Sequence, residues 1–191
     1  MTLAPWRPAI ARALHRNRSL PHVRYLQLAT VRPDGRPANR TLVFRGFWGD
    51  TNQLQFVTDA RSAKPQQITR QPWAEVCWYF PTTREQFRLL GQLQLIDQAE
   101  QTEAQSARQS AWQALSDSAR SQFAWGEPRA PRGDAASFSP PQPSQTEPLP
   151  QFCLLLLDPV EVDHLELRGE PQNRRIYELR SGEWCDLDVN P

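Results

Sequence analysis

Two arginines and one cluster of hydroxyls and lysine are the side chains of this sequence best suited to holding an anion. Arg40 and Arg45 flank Thr41, Leu42, Val43 and Phe44. A guanidinium offers a planar fork of donors that matches a carboxylate or phosphate. Positions five apart on a regular strand point to opposite faces, so the pair makes one anion site only if a bulge or the strand end turns Arg45 round. Otherwise they are two solvated surface arginines. Thr58, Ser62 and Lys64 lie where a strand pattern runs into a helix pattern. Such a junction presents backbone N–H groups, hydroxyls and an ammonium to a phosphate, and it equally suits a plain helix cap beside a surface lysine.

Other chemistries lack their patterns. No glycine fingerprint for a dinucleotide follows a strand, and no Gly-Lys-Ser or Gly-Lys-Thr marks a nucleoside triphosphate site. Serine and aspartate combinations have no nucleophile-elbow context. His15, His22 and His164 are too dispersed to predict a metal centre, and His164, beside Asp163 and near Glu161, reads as a surface histidine on a charged strand. Cys77, Cys153 and Cys185 are isolated and odd in number, which predicts reduced thiols in place of a zinc knuckle or disulfide framework. No catalytic side chain and no metal are assigned.

The elements that must position these residues are short. Apolar residues at helical spacing predict a helix over Trp6–Asn17. Arg24–Arg32 and Pro37–Phe44 read as strands about a Pro33-Asp34-Gly35 turn, and Leu54–Thr58 as a further strand. Ser62 is a plausible N-cap for a helix over Ser62–Arg70, with Pro65 in its first turn and Pro72 beyond it. Trp73–Phe80 and Glu85–Ile96 alternate as strands. Gln98–Phe123 is helical in composition, and Arg129–Pro150 reads as a Pro-rich surface loop or lid. Phe152–Leu157, Val160–Leu167, Arg174–Leu179 and Glu183–Leu187 are four more strands. Many short strands with few helices predict a mainly β fold, an antiparallel barrel of Greek-key type with peripheral helices, over an alternating parallel sheet.

Composition sets the outer limits. The 191 residues fit a single domain, and 22 Lys and Arg against 21 Asp and Glu leave no excess charge to attract nucleic acid. Arg7, Arg12, His15, Arg16 and Arg18 interrupt any apolar leader core, and no apolar run approaches the roughly 20 residues needed to span a bilayer. A cytoplasmic protein with no membrane or nucleic-acid partner is the expectation.

Arg40-Thr-Leu-Val-Phe-Arg45 resembles the arginine-strand-basic motif of the pyridoxamine 5'-phosphate oxidase family, with Arg45 where lysine is common. Phe56-Val-Thr-Asp-Ala-Arg-Ser-Ala-Lys64 resembles that family's phosphate-binding strand and loop, with Val57 and Ala63 replacing an aromatic residue and an arginine. Glu85-Gln86-Phe87-Arg88-Leu89-Leu90-Gly91 is similar to the segment carrying a flavin-contacting glutamine, and Arg175-Ile176-Tyr177 to the segment carrying a flavin-contacting arginine. The match is clearest from Tyr25 to Ile96. It is closer to the oxidase-related FMN-binding group of photosynthetic bacteria and plants than to the vitamin-processing enzyme.

The resemblance implies an FMN-binding split barrel and a homodimer with flavin sites at the subunit interface. Arg40, Ser62 and Lys64 would then hold the phosphate, with Thr41, Leu42, Val43 and Arg45 as further cofactor contacts. Val57, Thr58 and Gln86 would line the flavin, and Arg175 would reach it across the dimer. Leu165 stands where the family has an enclosing aromatic residue. Pro171 and Asn173 stand where it has an arginine and a histidine near the substrate phosphate. The expected function is FMN-dependent oxidoreduction of an unidentified small molecule, with a non-catalytic flavin-binding protein or a divergent oxidase of the vitamin phosphates as the alternatives.

Overall fold

The computed structural model describes residues 3–99 and 104–191. Among these, nine strands form one antiparallel sheet: β1 (Tyr25–Val31), β2 (Pro37–Val43), β3 (Gly46–Phe47), β4 (Leu54–Asp59), β5 (Trp73–Phe80), β6 (Glu85–Ile96), β7 (Phe152–Glu166), β8 (Asn173–Arg180) and β9 (Glu183–Val189). The order is β2-β1-β5-β6-β7-β4-β3, with β8 paired to β7 and β9 to β8. After the β1–β2 hairpin the chain crosses to β4 at the far side of the sheet. Helix α2 (Ala63–Arg70) then returns it to lay β5 beside β1. This crossing is the Greek-key element. The sheet curls into a half-barrel until its two ends meet, where the Arg45 N–H donates to the Gln55 carbonyl at 2.9 Å.

Alternation along the strands fills the interior. Leu26 and Leu28 of β1, Val76, Trp78 and Phe80 of β5, and Phe87 and Leu89 of β6 point inward and are fully buried. Each such side chain contributes about 1.5–3 kcal/mol by leaving water. Helix α1 (Arg7–Arg16) closes one end with Trp6, Ile10 and Ala13, whose spacing puts them on one face. The Trp6 ring meets Trp184 of β9 edge-on, with centroids 5.8 Å apart.

A second apolar cluster lies outside the barrel. Helices α3 (Ala104–Gln113) and α4 (Asp117–Phe123) bring Trp112, Leu115 and Phe123 against Phe152, Leu154 and Leu156. Phe152 to Leu157 are therefore buried on both faces, which explains a continuous apolar run where a half-exposed strand would alternate.

The structure corrects several boundaries. Phe152–Leu157 and Val160–Leu167 form one strand, because Pro159 sits beside a register shift at Leu90/Gly91, where a bulge accommodates a residue with no N–H to donate. Gly91 is required there, since a Cβ would fall 2.2 Å from the Asp158 carbonyl oxygen. The helical segment predicted over Gln98–Phe123 is two helices, separated where Ser116 caps α4 through the Ala119 N–H, and its residues 100–103 lie outside the described residues. The Pro-rich segment contains a short 3-10 turn, Ala135–Phe138, and is docked on α3 and α4. Trp112 Nε1 donates to the Ser144 carbonyl at 2.8 Å, and Phe138 packs edge-on against Trp125. Among the described residues no helix is long and apolar enough to cross a membrane.

Candidate functional site

The corner where β4 turns into α2 gathers four of the residues predicted to hold an anion. Thr58 is the buried penultimate residue of β4, and its hydroxyl lies 3.4 Å from that of Ser62. Ser62 occupies the N-cap position in an extended conformation. Its hydroxyl donates to the Asp59 carbonyl at 2.8 Å, so it caps no N–H of α2. The first turn of α2 thus keeps backbone donors and the positive end of the helix dipole without a side-chain acceptor.

Charge at this corner is unbalanced. Arg40 projects inward from β2, donating to Thr30 Oγ1 at 2.6 Å and to Gln67 Oε1 of α2 at 2.9 Å, both neutral acceptors. Lys64 makes no hydrogen bond or ion pair among the described residues. The nearby Asp59 carboxylate is engaged by Arg61 at 2.6 Å, whose other donors reach the Phe123 and Trp125 carbonyls. Burial, and then the charge of Arg40, pull the Lys64 pKa below its ordinary value. Burial, and then Arg32, do the same for Arg40. Two partly desolvated cations, two hydroxyls and an uncapped helix start, with no free carboxylate, match the donor set of a phosphate dianion.

The remaining predicted residues are distributed by strand register. Thr41 and Val43 lie on the outer face of the sheet, whereas Leu42 shares the inner face with Arg40. Gln86 is also on the outer face, opposite Tyr79 and Leu165. Arg45 does not join Arg40. It lines a separate cavity of about 560 Å³ with Arg24, Trp48, Gln55 and the small residues Ser110 of α3 and Ala114 just beyond it. Burial, and then Arg24, lower the Arg45 pKa. Val57, one residue pair along from Gln55, packs toward the α3 cluster.

Arg175 lies on the opposite sheet face from Gln86. It pairs across the strands with His164 and Asp188, and its Nε donates to Asp188 at 2.6 Å. The residue in register with Gln86 and Leu165 is Arg174, which forms a two-pronged contact with Asp163 at 3.0 and 2.7 Å. One chain alone does not bring Gln86 and Arg175 to the α2 corner.

His164 is not a surface residue. It is buried, stacked on Phe87 with centroids 4.0 Å apart, and its Nε2 lies 3.0 Å from Glu85 Oε2. Burial opposes the charged form of Glu85, but hydrogen bonds from His164 and Thr83 and the charge of Arg16 together hold its pKa below the usual value. Sequence reasoning missed this pair because 79 positions separate its members. Only the β6–β7 register brings them together.

Comparison with known proteins agrees with this geometry. The family described as "Pyridoxamine 5'-phosphate oxidase, FMN-binding domain" matches residues 3–97, which include the α2 corner and Gln86. The Arabidopsis thaliana pyridoxine/pyridoxamine 5'-phosphate oxidase 2 is 38% identical over 198 residues, covering 99% of this chain and 98% of the relative. A crystal structure of a pyridoxamine 5'-phosphate oxidase-related, FMN binding protein from Nostoc punctiforme superposes with a TM-score of 0.98 at 63% identity, over the full length of both chains. PhzG from Burkholderia lata 383 shares the fold, with a TM-score of 0.78 at 20% identity over 97% of this chain and 90% of its own. With a full-length relative above 30% identity and the phosphate-type donor set in place, this chain belongs to the pyridoxamine 5'-phosphate oxidase-related family of FMN-binding split barrels.

Proposed function

We propose that the protein binds FMN with its phosphate at the α2 corner and works as an FMN-dependent oxidoreductase on a small anionic molecule. The observation that carries the reading is the pairing of Lys64 and Arg40 without a carboxylate, beside the hydroxyls of Thr58 and Ser62. FMN ends in a single phosphate that such a cradle suits, whereas FAD needs room for a pyrophosphate and adenosine. Bound FMN supplies hydride and electron acceptance, for which amino-acid side chains have no equivalent. Thr41, Val43, Val57, Thr58 and Gln86 would orient it.

The substrate side is suggested by the cavity of Arg24, Arg45 and Trp48. Neither guanidinium has a carboxylate partner among the described residues, so the cavity favours a carboxylate or phosphate on the substrate, with Trp48 offering an aromatic wall. Tyr25, Trp73 and Tyr79 are exposed on the outer sheet face that also carries Thr41, Val43 and Gln86. We propose that this face joins a second copy of the chain, so that the flavin contacts on it are completed from two protomers.

Reconstitution tests the reading. Purified protein incubated with FMN and with FAD is expected to retain stoichiometric FMN as a dimer, and to reduce it repeatedly with an anionic donor from a metabolite panel. Stoichiometric FAD, or no retained flavin, overturns the cofactor assignment. Tight FMN with no productive donor leaves a flavin-binding protein without turnover.

A further inference from the structure

Strand register places three metal-ligating side chains around one point, away from the α2 corner. His164 and Glu166 are two apart on β7 and so share a face, and Glu85 is the residue directly opposite Glu166 on β6. One donor atom from each lies within 4.8 Å of the other two. Two carboxylates opposite one another on adjacent strands repel, and a cation between them removes that cost. We propose that Glu85, His164 and Glu166 form a binding site for a divalent cation of the zinc class, open to the cavity between α1 and β8.

Several features fit such an ion. Zinc bonds of about 2.0–2.2 Å to nitrogen and oxygen set neighbouring donors roughly 3.3 Å apart in a tetrahedron. His164 Nε2 and Glu85 Oε2 already stand 3.0 Å apart. Phe87, stacked within 10° of parallel, fixes the imidazole plane, and the Thr83 side chain hydrogen-bonds the Glu85 carboxylate. Glu166 is only half-buried, with a single long contact of 3.5 Å from Asn173 Nδ2, so it is free to close on the ion.

The cavity of about 440 Å³ onto which His164 and Glu166 open leaves room for water in the remaining coordination positions. Its arginines do not neutralise the carboxylates. Arg174 and Arg175 are engaged by Asp163 and Asp188, and neither Arg12, on the cavity wall, nor Arg16, which acts on Glu85 from α1, forms an ion pair with Glu85 or Glu166. One imidazole and two carboxylates suit zinc or manganese better than calcium, which takes an all-oxygen shell.

Titration of chelator-stripped, full-length protein with ZnCl₂ by calorimetry decides the matter, run in parallel on Glu166→Gln, His164→Gln and Cys185→Ser. The expected result is one equivalent of zinc, with affinity weakened at least about tenfold by Glu166→Gln. Cys185→Ser removes the exposed thiol, the strongest adventitious ligand, and is expected to change nothing. His164 is buried and its variant can lose structure, so Glu166→Gln, checked by circular dichroism, carries the comparison. Absence of binding at millimolar zinc, unchanged affinity in a folded Glu166→Gln variant, or loss of binding in Cys185→Ser overturns the proposal.

Discussion

Arg40 of β2 and Gln67 of α2 are joined by a 2.9 Å hydrogen bond, and Gln67 Oε1 also accepts from Thr30 of β1 at 2.7 Å. One amide oxygen thus ties two strands to the helix that carries Lys64. The guanidinium is held in place by neutral acceptors and keeps its full charge for a ligand.

Lys64→Ala is expected to weaken FMN binding by about 10- to 100-fold, the worth of roughly 1.5–3 kcal/mol for a charged hydrogen bond, and to leave the melting temperature unchanged within error. Fluorescence quenching of FMN on titration measures it. An unchanged affinity in a folded Lys64→Ala protein counts against the phosphate site.

FMN affinity is expected to fall on the alkaline side, starting below the ordinary lysine pKa of 10.5. Lys64 has a lowered pKa in the free protein, and a phosphate dianion raises it again. The gain from its charge is therefore complete below the free-protein pKa and is lost as pH rises through the bound-state pKa. Lys64→Arg, which keeps its charge throughout, should flatten that limb of the affinity–pH profile.

Gly91→Ala is expected to destabilise the fold by at least about 2 kcal/mol, because the new methyl would overlap the Asp158 carbonyl at the bulge and backbone would have to move. Urea unfolding gives the difference. A midpoint equal to wild type would mean that the β6–β7 register shift is absent.

Thiol labelling should separate the cysteines. Burial pushes the Cys153 pKa up to about 11, and Cys77 is also raised by burial, whereas Cys185 is exposed on β9. One thiol, assigned to Cys185 by peptide mass, should react rapidly at pH 8 in native protein, with all three reacting after unfolding.

Oxidation of pyridoxine or pyridoxamine 5'-phosphate is expected to be slow, with kcat/KM below about 10⁴ M⁻¹s⁻¹. Pro171 has no donor fork and Asn173 cannot carry a charge, while the neighbouring Glu166 adds a negative one. The name of the full-length Arabidopsis relative makes these two compounds the first to assay, with pyridoxal 5'-phosphate measured directly. Efficient turnover would show that arginines elsewhere, such as Arg24 and Arg45, hold the substrate phosphate.

The sequence by itself determined most elements and one cluster. Alternating apolar positions marked β1, β5 and β6 because one face of each packs inside, the Pro33-Asp34-Gly35 turn marked β2, and the Thr58-Ser62-Lys64 cluster was legible because its parts lie within seven positions of one another. The family resemblance was carried by short motifs, each contiguous in sequence, at Arg40–Arg45, Phe56–Lys64, Glu85–Gly91 and Arg175–Tyr177. Tertiary structure decided what depends on partners far along the chain. Pro159 looked like a strand break until the bulge opposite Gly91 absorbed it. Arg45 went to the Arg24 cavity and Arg40 to the α2 corner, because the barrel closes through the Arg45 backbone. His164 looked exposed among acidic neighbours, yet pairing of β6 with β7 buried it between Phe87 and Glu85. Periodicity reports which face of a strand is apolar, but only the register between strands reports which side chain stands opposite.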